Sequence, residues 1–315
     1  MKKLIPLIFI CFFLVSCAPK KYSTQIYGYF DTVVSVDGFF DSEEDFENTC
    51  KIIEDTLSRY HNALDIHSES GEGAILNKRR SLTVSDELLE VIRFGIKVNE
   101  LTKGSCNIAM GAVLEEWHKA RESDTPYLPS LDVLKKKAEH TDINNIEISG
   151  NTVTLLDPEL SLDFGAVAKG YVADLLRERL DGCNATINLG GNVLVLGDKN
   201  GDGWKVGIQS PYGNSIIKAV SASNTSVVTS GVYQRYFEFE NKRYHHIISP
   251  HTLYPSESYL SVTVVYDNSG WADALSTALF NMPVDEGKEL LREFDGIGVM
   301  WIKADGKIEY YGNIE

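Results

Sequence analysis

Apolar residues in this 315-residue chain change period several times. They do so without the regular strand–helix alternation that builds a parallel sheet. Asp41-Ser42 can cap a helix whose apolar face is Phe46, Cys50, Ile53, Leu57 and Leu64. Ser85 can cap a second helix, with Leu88, Ile92 and Ile96 on one side, and Leu131 to Ala138 reads as a third. Val167 to Leu180 predicts a helix, as do Asp273 to Phe280 and Val284 to Phe294. Between and after these come strand-like runs: Tyr27 to Val36, Val153 to Leu156, Thr186 to Leu196, Trp204 to Ile208, Ser261 to Tyr266, Gly298 to Ile302 and Ile308 to Tyr311. Tyr233 to Phe239 and Arg243 to Ile248 flank Glu240-Asn241-Lys242 as a hairpin. No period of twenty to fifty residues recurs, which excludes a solenoid or propeller. The pattern predicts an α+β domain with mixed or antiparallel sheets and flanking helices.

The amino terminus carries a separate instruction. Met1-Lys2-Lys3 is a positive start, Leu4 to Val15 is apolar apart from Pro6, and Ser16-Cys17 places a small residue before a cysteine. This is the layout of a secretory signal over residues 1–16, too short to span a bilayer. A cysteine at the cut is the mark of a lipoprotein, so Cys17 is expected to be lipidated. Residues 17–26 then read as the lipidated cysteine and its tether, opening with Ala18-Pro19-Lys20-Lys21. Several acyl chains hold a protein on a membrane where one binds only marginally. The expected location is a bacterial membrane surface, facing away from the cytoplasm.

The formal charge is -15; the leader holds Lys2 and Lys3 and no acid, so its loss leaves -17. Such a surface argues against nucleic acid as a partner. Cys11 leaves with the leader, and Cys50, Cys106 and Cys183 stand far apart. They make neither a disulfide framework nor a Cys-x-x-Cys metal site.

Four short segments could carry chemistry. In Leu162 to Tyr171 a strand is expected to end at Asp163, Gly165 allows a sharp turn, and Lys169 falls in the first turn of a helix. A cation there opposes the helix dipole, so an anionic partner is implied. The bland alternative is a capped helix with a solvated lysine. In Ala272 to Phe280, Asp273 and Thr277 share one helix face amid apolar neighbours. Carboxylate and hydroxyl are hard oxygen ligands suited to Mg²⁺. Equally, Asp273 could be an N-cap and Thr277 could bond back to the backbone. In Arg243 to Pro250, His245 and His246 are adjacent, so on a strand they face opposite ways and only one can reach a site. Gly190-Gly191, within Thr186 to Leu196, suggests a bulge or a close backbone approach.

In order along the chain, these pieces resemble the ApbE family of FAD:protein FMN transferases, from about Tyr27 to Tyr311. Phe30-Asp31-Thr32, Ile66-His67 with Ile75-Leu76-Asn77, Thr102 to Asn107, Asp163 to Tyr171, Ile187 to Gly191, Thr229-Ser230-Gly231, His246 to Pro250 and Ala272 to Thr277 each resemble a family motif. The resemblance implies a single ApbE-like, T-fold-like domain over residues 27–315. It implies that Asp163 and Lys169 contact FAD near its diphosphate. The Ala166 carbonyl, Asp273 and Thr277 would hold Mg²⁺. His246 would sit beside the diphosphate and transfer a proton. Phe30, His67, Ser105, Cys106 and Asn107 would line the flavin or adenine pocket. The implied reaction joins FMN from FAD to a threonine hydroxyl of an exported acceptor and releases AMP. With the lipoprotein signal, it points to a membrane redox complex of the RNF or sodium-translocating NADH:quinone oxidoreductase type as acceptor. Several positions depart from the family pattern. Cys106-Asn107 replace Phe-Asp, Ser249 replaces Asp, His251 and Leu253 replace Arg and Gly, and His67 stands where Tyr is frequent. Two other readings of the same residues are an FAD pyrophosphatase giving FMN and AMP, and an FAD-binding lipoprotein without catalysis.

Overall fold

The structure is a computed structural model that describes residues 18–199 and 201–314. The expected leader, residues 1–16, and the expected lipidation site, Cys17, lie outside the described residues. The elements are β1 (Lys20–Tyr29), β2 (Thr32–Phe40), α1 (Glu43–Leu64), α2 (Glu72–Arg79), β3 (Ser81–Thr83), α3 (Asp86–Leu101), α4 (Gly111–Glu122), α5 (Leu131–Ala138), β4 (Ile146–Ser149) and β5 (Thr152–Leu155). There follow α6 (Ala168–Arg179), β6 (Asn184–Leu189), β7 (Asn192–Leu196), β8 (Trp204–Gln209), β9 (Ile216–Ala222), β10 (Ser226–Gly231), β11 (Tyr236–Phe239), β12 (Lys242–His245), β13 (Tyr259–Tyr266), α7 (Ser269–Phe280), α8 (Val284–Leu290), β14 (Gly298–Lys303) and β15 (Ile308–Tyr311).

Eight strands form the main sheet in the order β1-β2-β6-β7-β10-β13-β14-β15, and every pairing is antiparallel. Alternation along its central strands explains its two covered faces. On β14, Val299 and Trp301 join the main core, whereas Met300 and Ile302 point the other way. On β7, Leu194 and Leu196 face the main core and Val195 the opposite side. Helices α1, α6 and α7 cover the first face. The β8–β9 hairpin covers part of the second with Trp204, Val206, Ile208, Val220 and Ala222. A third cluster, built on Met110, Val113, Trp117, Leu134, Ile248 and Leu253, joins α4 and α5 to the segment after β12.

Capping by Ser42, Ser85 and Ser130 starts α1, α3 and α5 where the sequence predicts. Some expectations need correction. Strand β1 begins at Lys20 and pairs with β2, so residues 20–26 belong to the sheet and not to a tether. No strand ends at Asp163; Ser161 makes a single parallel bridge to Met110, and the chain runs on extended. The Gly190-Gly191 pair is a hairpin turn, with φ of 63° and 97°, and it splits the expected strand into β6 and β7. The last predicted helix stops at Leu290 and finishes as a 3₁₀ turn.

Candidate active site

One end of the main sheet is a crowd of turns. The β1–β2 turn has Phe30 and Asp31 at φ 51° and 49°, next to the β6–β7 turn. The closeness is such that a Cβ on Gly190 would meet Thr32 Oγ1 at 2.2 Å. The starts of α6 and α7, the end of β10 and the segment after β12 reach the same place. Together they enclose a cleft of about 1180 Å³. That exceeds ordinary small-molecule pockets, roughly 300–1000 Å³, and leaves room for a second reactant.

The start of α7 settles the status of Asp273. Asn268 is the N-cap, accepting from Trp271 N at 2.8 Å. Asp174 accepts from Ser269 N and Gly270 N, each at 2.7 Å. The orphan donors of the first turn are therefore satisfied elsewhere. Asp273 lies one turn further on and is buried, and it is no N-cap. Its Oδ2 accepts from Gly170 N at 2.8 Å and stands 3.9 Å from Lys169 Nζ. Burial pushes this carboxyl above the usual range, against the pull of Lys169, the Gly170 N–H and the nearby Asn192 amide. The Asn192 Nδ2 is itself buried and short of a full hydrogen bond to any group.

Beside Asp273, the Asp163–Lys169 segment closes on itself. Asp163 Oδ1 accepts from Gly165 N at 2.8 Å, and Lys169 Nζ donates to Gly165 O at 3.2 Å. The lysine thus has an anionic neighbour inside the chain, Asp273, beyond any external one.

The two histidines separate cleanly. Strand β12 ends at His245, so His246 leaves the ladder. His245 is buried, donates from Nε2 to Ser256 O at 2.8 Å, accepts from Ile247 N at 3.2 Å and meets Phe280 edge-on. It has no capacity left. His246 faces the cleft, and its Nδ1 lies 3.1 Å from Arg235 O. A carbonyl only accepts, so Nδ1 carries the proton and Nε2 keeps its lone pair. The ring edge is open to the cleft, yet protein surrounds it on the other sides. This desolvation, with Lys169, His245 and Arg235 nearby, lowers its pKa to about 4.

The aromatic side of the cleft is built differently. The Phe30 ring meets His61 edge-on at 5.6 Å. His67 is exposed and lies 5.1 Å, centroid to centroid, from His118 of α4. Ser105 is buried, with Oγ 3.1 Å from His251 Nε2, and its carbonyl accepts from Asn281 at 3.2 Å. Cys106 is buried, which pushes its thiol up to about 12, and it is an inert wall rather than a nucleophile. Asn107 lines the cleft, but its amide donates to Thr141 O and its carbonyl accepts from Ala109 N, both at 2.9 Å. It shapes the site with little left to offer a ligand.

The cleft therefore brings together Phe30, His67, Ser105, Cys106, Asn107, Asp163, Ala166, Lys169, His246, Asp273 and Thr277, every predicted site residue except Cys17. It adds residues the sequence reading does not single out, among them His118, Arg121 and Arg235. Arg235 donates to Asp31 O at 2.7 Å and so ties the β1–β2 turn to the His246 segment. Its one sequence signal was position: a lone arginine within a long acid-free stretch.

The ApbE family pattern matches residues 27–301. The chain belongs to the ApbE family. Two relatives are FAD:protein FMN transferases. That of Treponema pallidum is 34% identical over 72% of this chain and 68% of its own length. That of Klebsiella pneumoniae is 31% identical over 80% of this chain and 81% of its own length. The crystal structure of the ApbE protein of Thermotoga maritima superposes with a TM-score of 0.83 at 27% identity, covering 92% of this chain and 96% of that one. The ApbE fold is thus the α+β domain described above.

Among the described residues no cluster of three or more His, Cys, Asp or Glu side chains could hold a metal. A hard cation needs no such cluster, because hydroxyl, main-chain carbonyl, substrate phosphate and water also serve. The single buried carboxyl of Asp273, raised by desolvation, with the Thr277 hydroxyl one turn away, fits Mg²⁺ and does not fit a soft metal.

Proposed function

We propose that this protein transfers FMN from FAD to a threonine hydroxyl of an acceptor protein and releases AMP. The observation that carries the reading is the neutral His246, its Nδ1–H held by Arg235 O, facing the cleft that holds Lys169 and Asp273. A base with a low pKa stays neutral at working pH and is ready to accept a proton.

Each residue then has a task. Lys169 receives the diphosphate charge. Asp273, Thr277 and the Ala166 carbonyl would hold Mg²⁺, which supplies charge neutralisation at the diphosphate oxygens. Phe30, His67 and the Ser105–Asn107 wall receive the rings. The threonine oxygen forms a bond to the FMN-side phosphorus. The bond from that phosphorus to the AMP oxygen breaks, and AMP leaves with the electron pair. The threonine proton passes to His246 Nε2.

We further propose that residues 1–16 direct export and that Cys17 is lipidated, so the reaction occurs on the outer side of a membrane. The acceptor is then an exported domain of a membrane redox complex of the RNF or sodium-translocating NADH:quinone oxidoreductase type.

The test is to incubate the purified protein with FAD, Mg²⁺ and the flavin domain of such a complex. A covalent mass increase of one FMN, with equal AMP, supports the proposal. AMP without any adduct supports the hydrolase reading instead. FAD bound with no AMP formed defeats both.

A further inference from the structure

Strand β8 pairs with β9 alone. Its other edge makes no backbone hydrogen bond among the described residues, and Tyr233 Oη to Gln209 O, at 3.5 Å, is the one side contact along it. A bare edge is a template for another strand, and proteins usually blunt one that serves no purpose. This edge is not on the outer rim of the molecule. Val206, Gly207 and Gln209 line the same cleft as His246 and Asp273.

The charge pattern is as specific as the geometry. The chain carries 45 acids and a formal charge of -15, yet no Asp or Glu occurs from Gly203 to Phe237. That stretch contains β8, β9 and β10, and its charged side chains are Lys205, Lys218 and Arg235. Lys205 is exposed on β8 and takes part in no ion pair among the described residues. Beside it, Ile216 folds over Gly207 and remains 65% exposed.

We infer that the acceptor protein docks on the free edge of β8, as an extended segment with acidic residues near its target threonine. The inference rests on the transfer reading above. Main-chain bonds along β8 supply affinity that depends little on sequence, and side chains at alternate positions supply selection. Lys205 steers an acidic segment, which an otherwise acidic surface repels. Ile216 offers the lip an apolar contact. A strand laid there runs into the cleft and presents one hydroxyl toward His246.

Hydrogen–deuterium exchange on the full chain tests this. The probes are a short peptide with one central threonine flanked by aspartates, and its lysine-flanked counterpart. The aspartate peptide is expected to slow exchange of the β8 amides about tenfold, and the lysine peptide to leave them unchanged. Lys205→Glu is expected to lower kcat/KM for a protein acceptor about tenfold, with FAD affinity unaltered. Protection of other elements only, or none, overturns the docking site whatever Lys205→Glu does. So does β8 protection that rises with protein concentration before any peptide is added, which marks a second copy as the occupant. Loss of the transfer reading looks different: no acceptor gains FMN, although FAD binds.

Discussion

The main-chain N–H of Gly170 donates to Asp273 Oδ2 across 2.8 Å, fastening the first turn of α6 to the second turn of α7. A Cβ at position 170 would meet Asp273 Cβ and Ser269 O, each at 2.4 Å, and Gly270 Cα at 3.0 Å. Two of those atoms are backbone, so little can give way. Gly170→Ala is expected to destabilise the protein by about 1–3 kcal/mol. Urea unfolding measures the loss, and an unchanged midpoint would mean that the two helices slide apart at no cost.

Burial raises the Asp273 pKa, which has a sign for stability. A carboxyl with a raised folded pKa costs stability above its unfolded pKa, and at neutral pH that cost is present. Asp273→Asn is expected to raise the thermal midpoint of the metal-free protein while abolishing transfer. Mg²⁺ should stabilise the parent and not the variant, since only a ligand that binds the folded state shifts the midpoint. Equal Mg²⁺ stabilisation of both proteins would place the cation elsewhere.

His246→Ala is expected to lower transfer by about 10²–10⁴-fold, the usual contribution of general acid–base catalysis, while FAD still binds. The pH dependence follows from the lowered pKa of about 4. The parent rate should show no acid limb at the ordinary histidine value and should fall only as pH approaches 4. Stability behaves likewise: the unfolded chain binds the proton first, so the contribution is complete above the unfolded pKa and declines as pH falls toward the folded one. A pH–rate profile with an inflection near 6.5, the ordinary histidine value, would argue for a different base.

Leu253 tests strain against packing. It stands at φ 65°, yet its side chain is buried in the cluster with Trp117. The strained backbone costs about 1–3 kcal/mol. Truncating a buried leucine costs about 2–5 kcal/mol even at Ala. Packing wins, and Leu253→Gly is expected to be net destabilising by about 1–2 kcal/mol in denaturant titration. A more stable variant would show that strain dominates.

Much of the fold could be read locally. Ser42, Ser85 and Ser130 are followed by apolar stripes at helical spacing, and each caps the expected helix. Glu240 and Asn241 turn the β11–β12 hairpin because both adopt positive φ, which Asn tolerates well. Helix α4 went unread, as did the short α2. Met110 and Gly71 supply no side-chain cap, and the apolar contacts of α4, such as Trp117 with Tyr254, are made across the chain. The cleft residues on α4, His118 and Arg121, were hidden with it.

The sequence by itself determined most of the longer helices, the Ser42 and Ser85 caps and the chemical types available: one lysine-bearing turn, one Asp–Thr pair and one His–His dipeptide. Those are properties of neighbours in the chain, set by side-chain chemistry and by spacing of a few residues. Only the tertiary structure decided which histidine is free, because Ser256 O and Ile247 N satisfy His245 while Arg235 O orients His246. It alone decided that Asp273 is a buried carboxyl and no cap, because Asp174, from another helix, takes the donors at the start of α7. Burial and hydrogen-bond satisfaction depend on partners far away in the chain, such as Gly170 for Asp273 and Asp31 for Arg235, and local spacing carries no record of them.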